Sequence, residues 1–221
     1  MTLPFVGKNG SYTYKDYKTQ NDDIRYELID EVVYTLATQN QNQNHQKVLK
    51  SLTRKLDTYF EEKSFELFIS PSEVRLKYDT DDKTVVQPDL YVVCDKSKNE
   101  TPELIIEIVS PCTSRDHFEK LHKYLKACVL EYWIIDPDSQ RNIIFLQDNK
   151  NLSFKTYGKN EKLFSYIFQD LIVGLSHVFK DVMPSSNLPI TSFLTQRKRE
   201  YFKVTAFMVR HSGRGSFLRK N

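Results

Sequence analysis

The chain has 221 residues, 39% of them hydrophobic and 28% charged, with a formal net charge of +3. That length suits one folded domain with a real core and an appendage, and two full domains would be a squeeze. No run approaches the roughly 20 apolar residues of a membrane span or the apolar start of a signal peptide, and Cys94, Cys112 and Cys128 are too widely spaced for a disulfide framework or a zinc site, so an intracellular, cytoplasmic protein with free thiols is expected.

Near the N-terminus, Thr13 with Asp16 three residues on has the form of a helix start within residues 11–17. Residues 25–29 and 32–36 read as two strands of a hairpin turning at Asp30-Glu31, with Glu27 in the first. An Asn/Gln-only loop over 39–44 leads to a helix from His45, capped by Asn44, with Val48, Leu49, Leu52, Leu56, Tyr59 and Phe60 at helical spacing. His45 falls on that inward stripe. Residues 65–69 and 73–76 read as strands split at Ser70-Pro71, and 78–84 as an acidic turn. The run 85–93 is a strand broken near its start by Pro88-Asp89, since proline cannot donate to a ladder.

After a loop at 96–101, residues 104–109 are apolar on both parities, as in a central strand covered on both faces, and carry Glu107. Turn chemistry over 110–114 precedes a helix over 116–128 with an apolar stripe of Phe118, Leu121, Leu125 and Cys128. At about 100° per residue, Lys120 lies about 110° from the stripe centre, Lys126 about 130° and Lys123 about 170°. Lys120 is thus the lysine best able to turn back toward a sheet, and Asp116 and Tyr124 share its face. Residues 130–136 form a strongly apolar strand with an antiparallel neighbour at 142–147; 154–157 and 162–168 read as short strands, and 176–179 as the start of a closing helix. After Pro184 the chain carries eight lysines and arginines against Glu200 alone, a charge of +7 that leaves about −4 for the body. A basic appendage suits contact with nucleic acid and equally suits a solvated tail.

Asp89 and Glu107 are carboxylates in apolar strands, where each must be paired, protonated or bound to a metal. With Lys120 they are the parts of a metal-dependent phosphodiesterase: two acids to hold a divalent cation, and a lysine to orient water or offset developing charge. Each has a plainer reading. Glu27 suits a half-exposed strand, His45 a satisfied core position, and Lys120 a solvated pair with Asp116.

Arg25-Tyr26-Glu27-Leu28-Ile29-Asp30, His45, Val86-Gln87-Pro88-Asp89-Leu90, Ile106-Glu107-Ile108-Val109-Ser110-Pro111, Lys120, Tyr124 and Glu131-Tyr132-Trp133-Ile134-Ile135-Asp136-Pro137 resemble, in order, the motifs of the large prokaryotic family of putative restriction endonucleases within the PD-(D/E)XK nuclease superfamily. The resemblance spans about residues 11–183. It implies an α/β restriction-endonuclease-like core, a central mixed β-sheet flanked by helices, over residues 1–184; the basic tail over 185–221 has no counterpart in the family. The superfamily pattern sets a lysine two residues after the second acid, where this chain has Val109; the resemblance implies that the lysine has migrated to Lys120. It further implies a catalytic set of Glu27, His45, Asp89, Glu107 and Lys120, with Asp89 and Glu107 as ligands for Mg²⁺, for which Mn²⁺ would substitute. DNA is the partner implied, without a membrane, and a homodimer is one assembly consistent with it.

The chain departs from the family at turns. Asp30-Glu31 lacks the usual hairpin glycine, Cys112 replaces a serine after Ser110-Pro111, and Cys128-Val129-Leu130 replaces Gly-Val-Pro. Two other classes stay open: a nucleic-acid-binding protein of the same fold whose chemistry has decayed, and an α/β domain whose acids are a structural pair.

Overall fold

A computed structural model describes residues 11–19, 25–36, 43–77, 83–94, 101–109, 116–148 and 151–184, the side chains of residues 116–119 and 151 excepted. The basic tail, Cys112 and the turn at 110–114, and most of the loops expected at 39–44, 78–84 and 96–101 lie outside the described residues.

The first elements follow local rules. Helix α1 (Tyr14–Lys18) opens on a complete capping box, with the Thr13 hydroxyl accepting from the Asp16 amide and Asp16 accepting from the Thr13 amide. Strands β1 (Tyr26–Ile29) and β2 (Val32–Thr35) pair antiparallel. Their two-residue turn has Asp30 at φ 48° and Glu31 at φ 68°. A tight hairpin needs left-handed backbone at both turn positions to match the strand twist, which explains why glycine would be favoured here.

Two sheets are built from strands that the chain visits alternately. After helix α2 (Gln43–Phe60) come β3 (Phe65–Ile69), β4 (Val74–Arg75), β5 (Val85–Val86), β6 (Leu90–Cys94) and β7 (Leu104–Ile108). Strands β4 and β5 join the hairpin in a four-stranded sheet of order β2-β1-β5-β4, whereas β3, β6 and β7 belong to a six-stranded one. The break expected at Pro88 is therefore a change of sheet, and so is the split at Ser70-Pro71. The six-stranded sheet is completed by β8 (Glu131–Asp136), β9 (Arg141–Asp148) and β10 (Asn151–Gly158), in the order β10-β9-β8-β7-β6-β3. Its β7–β8 pair is parallel, bridged by helix α3 (Asp116–Lys126), and its other pairs are antiparallel. This is the mixed sheet expected.

Opposite parities of the sheet feed two cores. On one face α2 buries Val48, Leu52, Leu56 and Phe60 against Leu90, Ile106 and Trp133, together with the small β11 (Lys162–Phe164) and β12 (Ile172–Gly174) pair and α4 (Leu175–Val178). On the other, α3 packs Leu121, Tyr124 and Leu125 on Ile105, Tyr132 and Ile134. Burying both faces is what made residues 104–108 apolar on both parities. Among the described residues no helix is long and apolar enough to cross a membrane.

Three local expectations change. Helix α2 starts at Gln43, so Asn44 sits inside its first turn instead of capping it; its side-chain amide is engaged by the Met183 backbone at 2.7 and 3.2 Å. The strand at 162 stops at Phe164 because the buried Glu131 carboxylate takes the amides of Tyr166 and Ile167 at 2.9 and 3.0 Å and the Ser165 hydroxyl at 3.0 Å. Cys128 does not continue the α3 stripe; it is exposed, at φ 63°, just past the helix end. There the Val129 amide bonds to the Tyr124 carbonyl at 3.0 Å and the Cys128 amide to the Leu125 carbonyl at 3.1 Å. These are the two bonds of a Schellman cap, whose left-handed position favours glycine. Replacing the exposed cysteine by glycine (C128G) removes Cβ strain, partly offset by unfolded-chain entropy, and is expected to raise stability by about 0.5–1 kcal/mol; urea unfolding measures it, and a destabilised variant would contradict the strain assigned to Cys128.

Candidate active site

The five residues expected at the site come from five elements, and the structure gathers them at the junction of the two sheets. Glu27 lies on β1, His45 in the first turn of α2, Asp89 immediately before β6, Glu107 on β7 and Lys120 on α3. Lys120 is the hub. Its Nζ stands 2.7 Å from Glu27 Oε1 and 3.1 Å from Glu107 Oε1, and all three residues are at most 6% exposed. Helical geometry made Lys120 the inward lysine, and its partners are the two strand acids. Lys123, placed by the same geometry farthest from the apolar stripe, is nonetheless buried and paired with Asp30. The hairpin turn lies over that side of the helix, which the periodicity of one helix has no means of registering.

Asp89 and Glu107 are cross-strand neighbours, because the antiparallel register pairs Leu90 with Ile106. Asp89 is held at both oxygens, Oδ2 accepting from the Ile108 amide at 2.7 Å and Oδ1 lying 3.1 Å from His45 Nε2. The other ring nitrogen of His45, Nδ1, is buried with no hydrogen-bond partner among the described residues. Glu107 accepts a further bond from the Tyr124 hydroxyl at 2.9 Å, and Glu27 accepts one from the Gln87 amide at 2.8 Å.

Electrostatics separates the roles. Burial works against the charge of Lys120, but Glu107 and Glu27 together outweigh it and hold the ammonium above its ordinary range. Burial pushes the Glu107 carboxyl up to about 7, reinforced by the charges of Asp89 and Glu27 and opposed by Lys120. Burial and the Glu107 charge also keep the Tyr124 hydroxyl protonated as a donor.

Several contributors carry no chemistry-bearing signature in sequence. Gln87 holds Glu27 through its backbone, while its side chain donates to Tyr17 Oη at 3.1 Å and to the Tyr26 carbonyl at 3.2 Å. The available signal was a polar amide inside an otherwise apolar run just before Pro88. Ser70 donates its amide to the Asp89 carbonyl at 2.9 Å, across sheet neighbours that its sequence position does not suggest.

As a cation site, the donor set is sparse and strongly negative. Among the described residues no group of three or more His, Cys, Asp or Glu side chains is placed to hold a metal ion. Mg²⁺ needs less than such a cage, because it keeps several waters and takes one or two carboxylates. Glu27 and Glu107 share the Lys120 ammonium, and Asp89 adds a further carboxylate whose charge acts on Glu107. A hydrated divalent ion would call on Asp89 and Glu107, the two acids that the β6–β7 register sets side by side.

The family model described as Uma2, putative restriction endonuclease, matches residues 12–173. Among solved structures, the chain is similar to a putative nuclease belonging to DUF820 from Anabaena variabilis ATCC 29413, with a TM-score of 0.60 and 16% identity over 78% of this chain and 99% of that one. At that identity the likeness is one of fold. A search of curated proteins finds no match.

Two stability measurements probe the cluster without any substrate. Replacing Lys120 by methionine leaves the buried carboxylates uncompensated and is expected to destabilise the metal-free protein by about 3–5 kcal/mol; a loss below 1 kcal/mol in urea unfolding would show that the ion pairs are not the hub. For Glu107 the native carboxyl keeps a proton between about pH 4.5 and about 7 that the unfolded chain has released, so its contribution to stability falls as pH rises through that window. The stability difference between wild type and E107Q, measured in EDTA, should therefore move against wild type by on the order of 2–3 kcal/mol from pH 4.5 to 7.5, and a flat difference would refute the raised carboxyl.

Proposed function

The chain belongs to the Uma2 family, described as putative restriction endonucleases, and from that premise we propose that it is a divalent-metal-dependent endonuclease hydrolysing phosphodiester bonds of DNA, with Asp89, Glu107, Lys120, Glu27 and His45 as its site. The observation that carries this reading is the buried ammonium of Lys120, shared by the carboxylates of Glu27 and Glu107 beside Asp89 on the adjoining strand. It supplies the lysine that the superfamily pattern lacks at Val109.

Asp89 and Glu107 would hold Mg²⁺, with Mn²⁺ able to substitute. When bound, the ion supplies an acidified water and neutralises charge on the phosphoryl group. Lys120 works as a cation in this scheme. Two carboxylates keep it protonated, so it donates to the attacking water or to a phosphoryl oxygen as negative charge develops, and it is not the base. Tyr124 and the Gln87 amide fix the oxygens of Glu107 and Glu27 that face it. His45 orients Asp89 from the far side. Residues 1–184 would then be the nuclease unit and the tail of 185–221 a cationic arm for DNA phosphates. Cutting both strands of a duplex calls for two such sites, which a homodimer provides.

Nicking of supercoiled plasmid tests the proposal. Purified protein should nick in Mg²⁺ or Mn²⁺ and not in EDTA, and D89A, E107A and K120A should each lower the rate by about 10²-fold or more. Wild-type rates in D89A and K120A would remove this site. Salt-sensitive DNA binding with no nicking in either metal would instead favour the decayed, binding-only reading.

A further inference from the structure

Arg25 stands one residue before β1 and two before Glu27, and so on the same side of the strand. Its half-buried guanidinium is bonded to neutral groups: Nε donates to Gln87 Oε1 at 2.8 Å and Nη2 to Ser70 Oγ at 2.7 Å. Other cations around this junction are neutralised, Lys18 by Glu73, Lys83 by Glu31, Lys120 by Glu27 and Glu107, and Lys123 by Asp30. Among the described residues no carboxylate pairs with Arg25.

Both anchors of Arg25 are tied to the acids of the site. Gln87 gives its amide to Glu27 Oε1 at 2.8 Å, and Ser70 gives its amide to the Asp89 carbonyl at 2.9 Å. The Gln87 side chain is itself fixed by Tyr17 and the Tyr26 carbonyl. The plane of the guanidinium is thus set by groups that also position Glu27 and Asp89. Its two bonds use Nε–H and one hydrogen of Nη2. That leaves both hydrogens of Nη1 and the second of Nη2 as charged donors of the kind that bind phosphate oxygens. A mere brace between Gln87 and Ser70 would need two donors and no charge.

We propose that Arg25 is a substrate-binding residue, whose remaining Nη hydrogens bind a phosphate of the DNA strand lying at the carboxylate cluster. The proposal deepens the nuclease reading and takes from it the identity of the anion. It assigns to the acidic site the cation that keeps a polyanionic strand in place.

Fluorescence anisotropy of a labelled duplex on the full chain, titrated with salt in EDTA, tests the contact without turnover. R25Q should bind roughly tenfold more weakly at low salt, and its plot of log affinity against log salt should be shallower by about one phosphate contact. A purely structural role would leave that slope unchanged, and an unchanged slope overturns the proposal. Circular dichroism checks each variant's fold. Should R25Q fail to fold, R25K decides: it keeps the charge and the slope but loses the planar guanidinium that Gln87 and Ser70 orient, with affinity falling roughly three- to tenfold, and wild-type affinity overturns the proposal. If R25Q shifts the slope of a wild-type protein that never nicks plasmid, the contact stands and the nuclease reading falls; if the protein nicks while R25Q keeps its slope, the contact alone falls. Absence of any DNA binding by the wild type removes both.

Discussion

One buried ammonium holds two sheets together. Lys120 reaches from α3 to Glu27 on the four-stranded sheet and to Glu107 on the six-stranded one, at 2.7 and 3.1 Å. Burying any of these charges alone would be prohibitive, and burying them together is tolerable only with close geometry and further hydrogen bonds. Those bonds are present: the Gln87 amide on Glu27, the Tyr124 hydroxyl on Glu107, the Ile108 amide on Asp89. A well-packed apolar cluster would stabilise the same junction at least as well. The charge is therefore better understood through chemistry than through stability.

The site depends on two of the places where one strand leads directly into a strand of the other sheet. At Ser70 and again at Gln87-Pro88 the backbone leaves one ladder for the other: the Ser70 amide still follows the β3–β6 register, whereas the Gln87 amide, past the end of its own ladder, is free to reach a side chain. Ser70 gives its amide to the Asp89 carbonyl and Gln87 gives its own to Glu27. Pro88, having no amide hydrogen, leaves no donor orphaned at the second crossing. A proline directly before Asp89 thus has a topological cause. It marks where the chain turns out of the small sheet, and Asp89 is placed at the mouth of the large one as a result.

What could be read from sequence follows from the range of the forces involved. Apolar parity identified the central strand of Glu107, helical spacing gave α2 and singled out Lys120, and the Thr13–Asp16 box gave α1, because each signal lies within a few residues. The second burial of Lys123 was not legible, since it depends on Asp30 from a hairpin 93 residues away. Nor was the shortened strand at Phe164, whose continuation is blocked by the Glu131 carboxylate from 35 positions upstream. Gln87 and Arg25 stood in a run recognised by resemblance, yet their functions are relational. An amide or a guanidinium has no assigned partner until the sheets are assembled.

The strained turns of this chain lie apart from its buried charge cluster in kind, being backbone conformations and not charges. Asp30, Glu31 and Cys128 all hold left-handed backbone, where a Cβ is unfavourable by about 1 kcal/mol. Neither turn has opened. Glu31 is paired with Lys83 and its amide bonds to the Lys83 carbonyl, while Cys128 sits within both bonds of its helix cap. The left-handed backbone is held in places where hydrogen bonds over-determine the conformation. The side chains that meet at Lys120 show no comparable compromise. Strain at a turn costs about as much as one unfavourable backbone conformation, whereas removing one charge of the buried cluster leaves the others uncompensated and costs several times more.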